Sequence, residues 1–322
     1  MANQRLTIKD IARLSGVGKS TVSRVLNNED NVSQRTRERV AAVINQYGFM
    51  PLKSAQAMRA QSDKIIGIVL SRLDSPSENQ AVRAILPLLY AQGFDVLIME
   101  SLLQPSLVAD HLNILQQRYV EGVILFGFAG LDPQLLAAWQ QKMVLMVHPY
   151  PGITTVRYDD AGAVAMLMDY LLAHNCQRIS FIGVELSDET TGRLRYQAYL
   201  DACQRHAIAP VAALGDLSYH KGYSLAQQVI LEETQAVICA SDTIALGVIK
   251  YLQQHPQPDV QVCSIGHTPL LTFLFPDILS VNPGFSEAGH TAATLLLAKL
   301  NGDTTSEVVT VPCMLEIEPV SE

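Results

Sequence analysis

Apolar positions along this 322-residue chain follow two regimes. Over residues 7–47 they recur at helical spacing in short segments. Ile8, Ile11, Ala12 and Leu14 give a first helix one apolar face. Val22, Val25 and Leu26 do the same for a second, Lys19–Leu26, and Thr36, Val40, Val43 and Ile44 mark the buried edge of a third, about Gln34–Tyr47. Thr7 and Asp10 make a capping-box-like start, and Ser15-Gly16-Val17-Gly18 supplies a turn. Two short helices around a Gly-containing turn are the pattern of a helix-turn-helix, and a third helix completes its core. From residue 64 onward, β-rich apolar runs alternate with helical patterns instead. Strands at 64–72, 94–100, 122–128 and 143–147 are separated by helices at 78–92, 105–118 and 132–140. A second series has strands at 178–183, 236–240 and 262–266 among helices at 162–174, 193–207, 221–230 and 243–253. Strands joined by helical crossovers predict parallel sheets. Two such series predict two lobes, because one core seldom grows to about 260 residues.

Charge separates the same two regions. Residues 1–60 hold 10 Lys and Arg against 4 Asp and Glu, which leaves 13 against 27 for residues 61–322. A basic head on an acidic body is the footprint of a nucleic-acid module joined to a globular domain. The outward side of the second helix carries Lys19, Ser20, Ser23 and Arg24, cations and hydroxyls that suit base edges and phosphates in a major groove. Gly18-Lys19-Ser20 looks like the end of a P-loop, but that motif needs Gly where Arg13 stands and a strand before it.

Other function classes fall away on composition. The N-terminus is polar and no run approaches membrane-spanning length, so the chain is expected in the cytoplasm with no membrane partner. Five dispersed cysteines without a C-x-x-C read as reduced packing residues, and eight histidines without ligand spacing predict no metal and no cofactor. Asp159-Asp160 are neighbours whose side chains point to opposite faces, which is not an acid–base pair, so no enzyme is expected.

In parallel α/β sheets ligands sit beyond the carboxyl ends of the strands. The candidates there are Arg72 and Asp74, Gly127 and Phe128, His148, the segment Asp188–Arg195, Ser241-Asp242-Thr243, His267 and Phe285. Residues 187–195 are dense in hydroxyls and cations and lead into a helix, which suits sugar hydroxyls or a phosphate, or else a polar loop ending in a solvated helix face. Asp242 is either a ligand or the N-cap of the helix that follows.

The runs Ile8-Lys9-Asp10-Ile11-Ala12, Gly16-Val17, Ser20-Thr21-Val22-Ser23-Arg24-Val25-Leu26-Asn27, Thr36-Arg37-Glu38-Arg39-Val40 and Gly48-Phe49-Met50-Pro51 resemble the lactose- and purine-repressor-like family of transcription regulators. The resemblance implies an all-α helix-turn-helix headpiece over 1–50, a hinge helix and linker over 51–62, and a bilobed, periplasmic-binding-protein-like α/β core over 63–322. It implies lobe crossovers near Asp159-Asp160, near Asn282-Pro283 and near 307–313. It also implies that Lys19, Ser20 and Arg24 read bases and that Thr21 and Ser23 hold phosphates, with Thr7 and Asn31 beside them. Met58 would be the hinge wedge in the minor groove. A homodimer on a near-palindromic operator follows from the same likeness.

Further likeness, in Arg72-Leu73-Asp74-Ser75, Ser77-Glu78-Asn79, Phe126-Gly127-Phe128, Tyr158-Asp159-Asp160 and Thr190-Thr191-Gly192, is to the trehalose-responsive branch of that family. It implies a repressor of trehalose uptake and utilisation genes that is released by trehalose 6-phosphate; the alternative is a same-family repressor for another sugar or sugar phosphate. Arg72, Gly127, Asp188, Glu189, Thr190, Thr191, Arg195 and Thr243 would hold the ligand, with Asp242 on the same wall. His148 stands where that branch has Arg and Phe285 where it has Tyr. A His in place of Arg predicts phosphate binding that strengthens at acidic pH.

Overall fold

The computed structural model describes residues 6–26, 31–47, 49 and 64–316. The chain divides into two units, one up to Asp63 and one from Lys64 onward.

The first unit has α1 (Ile8–Ser15), α2 (Lys19–Leu26) and α3 (Gln34–Tyr47). The Asp10 carboxylate accepts the Thr7 N–H at 3.0 Å and the Thr7 hydroxyl at 2.7 Å, so it closes the start of α1. Gly16 ends α1 at φ 62°, a left-handed conformation that glycine adopts without a Cβ clash. Ile11, Ala12, Val22, Val40 and Phe49 form the buried core. Leu14, expected on the inner face, is 40% exposed, and Ser15 is buried in its place. At 100° per residue Ser15 lines up with Ile8, Ile11 and Ala12, and its hydroxyl donates to the Ile11 carbonyl at 2.6 Å, so its burial leaves no polar group unpaired. The expected hinge helix, Met58 included, lies outside the described residues.

The second unit contains two six-stranded sheets. The first comprises β1 (Ile65–Leu70), β2 (Asp95–Glu100), β3 (Gly122–Phe126), β4 (Met143–Met146), β5 (Thr155–Tyr158) and, late in the chain, β11 (Val308–Val311), in the order β11-β5-β4-β3-β1-β2. The second comprises β6 (Ile179–Val184), β7 (Val211–Gly215), β8 (Ala236–Cys239), β9 (Gln261–Ile265), β10 (Leu279–Asn282) and β12 (Met314–Glu316), in the order β12-β10-β9-β8-β6-β7. Every pairing is parallel except that of β10 with β12. β1, β3, β4, β6 and β8 are buried on both faces, as parallel sheets covered by helices require, while the edge strand β2 stays half-exposed.

Helices α4 (Pro76–Ala91), α5 (Pro105–Gln117), α6 (Pro133–Ala137) and α12 (Phe285–Leu300) belong to the first lobe. Helices α7 (Asp160–Ala173), α8 (Arg195–Arg205), α9 (Tyr219–Val229), α10 (Asp242–Gln254) and α11 (Pro269–Leu274) belong to the second. The chain crosses between lobes at Asp159, again between β10 and α12, and finally between β11 and β12. These are the three places that the sequence suggests. The strands β5, β7, β10 and β12 were not foreseen; each is only three to five residues long and is defined by its neighbours in the sheet rather than by its own pattern. No helix among the described residues is long and apolar enough to cross a membrane. The five cysteines carry free thiols, and all but Cys176 are buried.

α12 crosses α4 at very short range: a Cβ on Gly289 would stand 2.2 Å from the Ala81 carbonyl oxygen. Gly289→Ala should force the two helices apart and lower stability by about 1–3 kcal/mol, read from the urea midpoint.

Candidate effector cleft and DNA-binding face

On α2, Lys19, Ser20 and Arg24 are exposed while Thr21 and Ser23 are half-buried beside the fully buried Val22. The helix therefore presents the face expected to meet DNA. Thr7 and Asn31 are both exposed. The Thr7 bonds hold the Asp10 carboxyl below its usual range, so the cap stays anionic and fixes the start of α1.

In the second unit the two lobes enclose a cavity of about 490 Å³, in the range of small-molecule sites. Arg72, Gly127, His148, Asp188, Glu189, Thr190, Thr191, Arg195, Asp242, Thr243 and Phe285 all line it, while Asp74, Gly192, Arg193, Leu194 and His267, also reached from the strand ends, do not. Each lobe builds its wall differently.

On the first lobe, β1 ends in Ser71-Arg72, and Glu78 from the first turn of α4 holds this end. The Glu78 carboxylate accepts the Ser71 N–H at 2.9 Å, the Arg72 N–H at 3.4 Å and the Ser71 hydroxyl. Burial pushes the Glu78 carboxyl up, against these bonds and the Arg72 charge. Arg72 is thereby placed on the cavity wall, its guanidinium 3.6 Å from the exposed Asp74 carboxylate.

After β4 the chain makes a tight, unusual turn. Val147 has φ 78°, and the His148 N–H folds back to the Met146 carbonyl at 3.1 Å, a carbonyl that also accepts the Gly127 N–H at 2.8 Å. A β-branched residue at positive φ is strained, and such turns persist only where the surroundings hold them. A Cβ on Gly127 would stand 3.0 Å from the His148 carbonyl, so this approach favours glycine. The His148 ring packs edge-on to Tyr150 at 5.1 Å, and the Tyr150 hydroxyl accepts from Leu131 N–H at 2.7 Å and donates to the Phe128 carbonyl at 2.9 Å. The imidazole thus sits on a stiff mount.

On the second lobe, Asp188 starts a turn of π-helix, Glu189–Leu194, by accepting from Thr190 N–H at 3.0 Å and Gly192 N–H at 3.3 Å. Gly192 is required there because a Cβ would stand 2.2 Å from the Glu185 carbonyl. The turn aims Glu189 across the cleft: its carboxylate lies 3.1 Å from His148 Nδ1 and 2.6 Å from the Arg193 guanidinium. It then delivers Arg195, only 4% exposed, whose Nε and Nη2 both lie 2.7 Å from one Asp160 oxygen and whose Nη1 donates to the Ala240 carbonyl. Burial pushes the Asp160 carboxyl up, and Arg195 pulls it back toward the charged form.

Asp242 resolves an open question from the sequence. Ser241 is the N-cap of α10, accepting the Ile244 N–H at 3.3 Å. The buried Asp242 carboxylate instead accepts the Thr268 N–H at 2.6 Å and the Ser264 hydroxyl, which ties α10 to the loop after β9. Thr243 beside it is half-buried at the cavity wall. Phe285, 5% exposed, meets Tyr158 edge-on at 5.0 Å. The Tyr158 hydroxyl is buried without a partner, and burial pushes its ionisation far up, so it remains a neutral donor on the cavity wall.

Residues 7–51 match the family described as bacterial regulatory proteins, lacI family, and residues 168–317 match a periplasmic binding protein-like domain. The HTH-type transcriptional regulator TreR of Escherichia coli (strain K12) is 52% identical over 311 residues, covering 97% of this chain and 99% of that protein. This chain belongs to the lacI family. The Salmonella typhimurium TreR is 51% identical over the same shares. The solved trehalose repressor from Escherichia coli superposes with a TM-score of 0.78 at 45% identity, over 79% of this chain and 100% of that one. The lac repressor dimer bound to operator has the same fold, with a TM-score of 0.77 at 24% identity over 97% of this chain and 98% of that one.

As a lacI-family protein the chain is a DNA-binding transcriptional repressor and not an enzyme. Several wall residues of this repressor escaped sequence reasoning. Ser75-Pro76-Ser77-Glu78 has the spacing of a capping box, which conceals that Glu78 turns to Ser71 and Arg72 instead. Asp160 and Tyr158 stood in a shared run at the crossover, but nothing in the sequence placed them on the cavity wall. His267, proposed for the cleft, does not line the cavity.

Arg195→Ala should leave Asp160 buried and unpaired, lowering the urea midpoint by the equivalent of about 3–5 kcal/mol, and adding Asp160→Asn should restore much of the loss. Glu78 gives a pH signature. Its carboxyl is raised in the folded state, so its stabilising share is complete below the unfolded value and is lost as pH rises through the folded one. Glu78→Gln should therefore gain stability relative to the parent chain between pH 5 and pH 8, measured by urea unfolding; a constant difference would show that the carboxyl titrates normally.

Proposed function

We propose that this protein represses genes for trehalose uptake and utilisation and is released from its operator by trehalose 6-phosphate. The observation that carries this reading is the extent of the likeness to TreR, 52% identity over 97% of the chain, which spans the cleft loops as well as the head. The cavity chemistry supports it. Arg72 and His148 face the cavity from one lobe as partners for an anion, while Thr190, Thr191 and Thr243 bring hydroxyls from the other as partners for sugar hydroxyls. Arg195 and Asp160 hold the cleft floor. Phe285 presents an apolar ring for a sugar face.

The repressor would act in the cytoplasm as a homodimer, as the lac repressor does on its operator, with no cofactor. Lys19, Ser20 and Arg24 would read bases and Thr21 and Ser23 would hold phosphates, with Met58 as the wedge. The effector would act by binding the DNA-incompetent arrangement of the lobes more tightly than the competent one. One observation favours a second reading, a same-family repressor for a neutral sugar: the Glu189 carboxylate already faces His148.

Fluorescence anisotropy of a labelled palindromic operator from the protein's own promoter region separates the two. Release by trehalose 6-phosphate, but not by trehalose or glucose 6-phosphate, is expected. Release by trehalose alone would favour the neutral-sugar reading, and operator binding indifferent to all three would overturn the trehalose 6-phosphate reading and mean a cleft retuned for another ligand.

A further inference from the structure

The cavity wall is rich in carboxylates, yet most are engaged within their own lobe. Asp160 is held by Arg195, Asp188 by the N–H groups of the π turn, Asp242 by Ser264 and Thr268, and Glu78 by Ser71 and Arg72. Glu189 differs. Its carboxylate meets the Arg193 guanidinium and the His148 imidazole, and His148 belongs to the opposite lobe. Among the described residues this is the one ion pair that spans the cleft. Both ends are set independently. The Val147 turn and Tyr150 fix the imidazole, and Asp188 with Gly192 fixes the π turn that carries Glu189.

A carboxylate placed between an imidazole and a guanidinium is what an anionic ligand group would look like there. We infer that Glu189 is a built-in competitor for the anionic part of the effector, and not one of its ligands. It neutralises the His148 side of the cavity when no effector is bound, and the effector's phosphate must displace it to reach His148. Glu189 thereby sets how strongly the cleft discriminates between a phosphorylated and a neutral sugar. Two anions held a few ångströms apart repel in a partly water-excluded site, so the carboxylate must swing away, toward Arg193, when phosphate enters. Arg193 is more than half exposed and can follow it. This inference rests on the proposal that the effector is a sugar phosphate.

Isothermal titration of the full-length protein with trehalose 6-phosphate and with trehalose tests it. Glu189→Gln keeps the side-chain shape and removes the charge. It should tighten trehalose 6-phosphate by about tenfold while changing trehalose by less than about twofold. The gain should vanish when His148→Ala is added, because the imidazole would no longer be there to be uncovered. An unchanged affinity for trehalose 6-phosphate overturns the inference. So does a parallel change for both ligands, which would make Glu189 a sugar-hydroxyl acceptor or a plain latch between lobes. Failure of the underlying reading looks different: the parent chain would ignore trehalose 6-phosphate. The inference would then stand if Glu189→Gln acquired binding of that ligand and fall if it did not.

Discussion

The ion pair between Arg195 and Asp160 is buried to within a few per cent of full exclusion from water, and much of the cleft depends on it. Asp160 is the first residue of α7, directly after the first lobe crossover. Arg195 is the first residue of α8, directly after the π turn, and it also reaches the Ala240 carbonyl just past β8. A single guanidinium therefore joins the crossover, the π turn and the end of a central strand of one sheet. Such a pair contributes little to net stability, because removing both charges from water costs about as much as their attraction returns. Its effect is geometric. An Arg presents a planar fork with fixed donor directions, so only one placement of the π turn satisfies both the carboxylate and the carbonyl.

The two walls of the cleft are organised on different principles. On the first lobe, function rests on strain and close approach: Val147 at positive φ, Gly127 against a carbonyl, and a buried Glu78 that gathers the end of β1. On the second lobe it rests on helix starts, with Asp188 and Ser241 capping and Asp242 bracing α10 against the neighbouring loop. A stiff wall facing a capped, hydroxyl-rich wall suits a ligand that must report its presence as a change in lobe arrangement. Rigid surroundings convert a small change in ligand contacts into a choice between two discrete packings.

Glu189 and His148 give this cleft its particular electrostatic character. Elsewhere on the wall Glu78, Asp160, Asp188 and Asp242 are each satisfied within their own lobe, so they add shape without adding a partner. At the gap between lobes the Glu189 carboxylate and the His148 ring meet instead. An Arg at position 148 would bring a permanent charge and a bidentate fork; the His brings one ring nitrogen toward Glu189 and a charge that depends on its proton.

Much of this was legible in the sequence. Helical periodicity and the Gly16 turn marked the helix-turn-helix, alternating apolar runs marked two parallel sheets, and the strand ends led to most of the cavity wall, Asp74 and His267 excepted. These features are local, since they follow from backbone period, capping and the position of a residue relative to a strand end. Leu14 was misplaced because two helical steps from Ile11, of three and four residues, fit the pattern almost equally, and only the packing of Ser15 against its own turn decides between them. The short strands β5, β7, β10 and β12 exist because a neighbour supplies hydrogen bonds, which no local pattern encodes. Asp242 as a brace, Glu78 as the clasp of Arg72, the Arg195–Asp160 pair and the contact of Glu189 with His148 all join residues between 6 and 41 positions apart. The sequence determined which chemistry reaches the cleft. The tertiary structure alone decided which of those groups are already engaged, because pairing between side chains depends on distances that only packing sets.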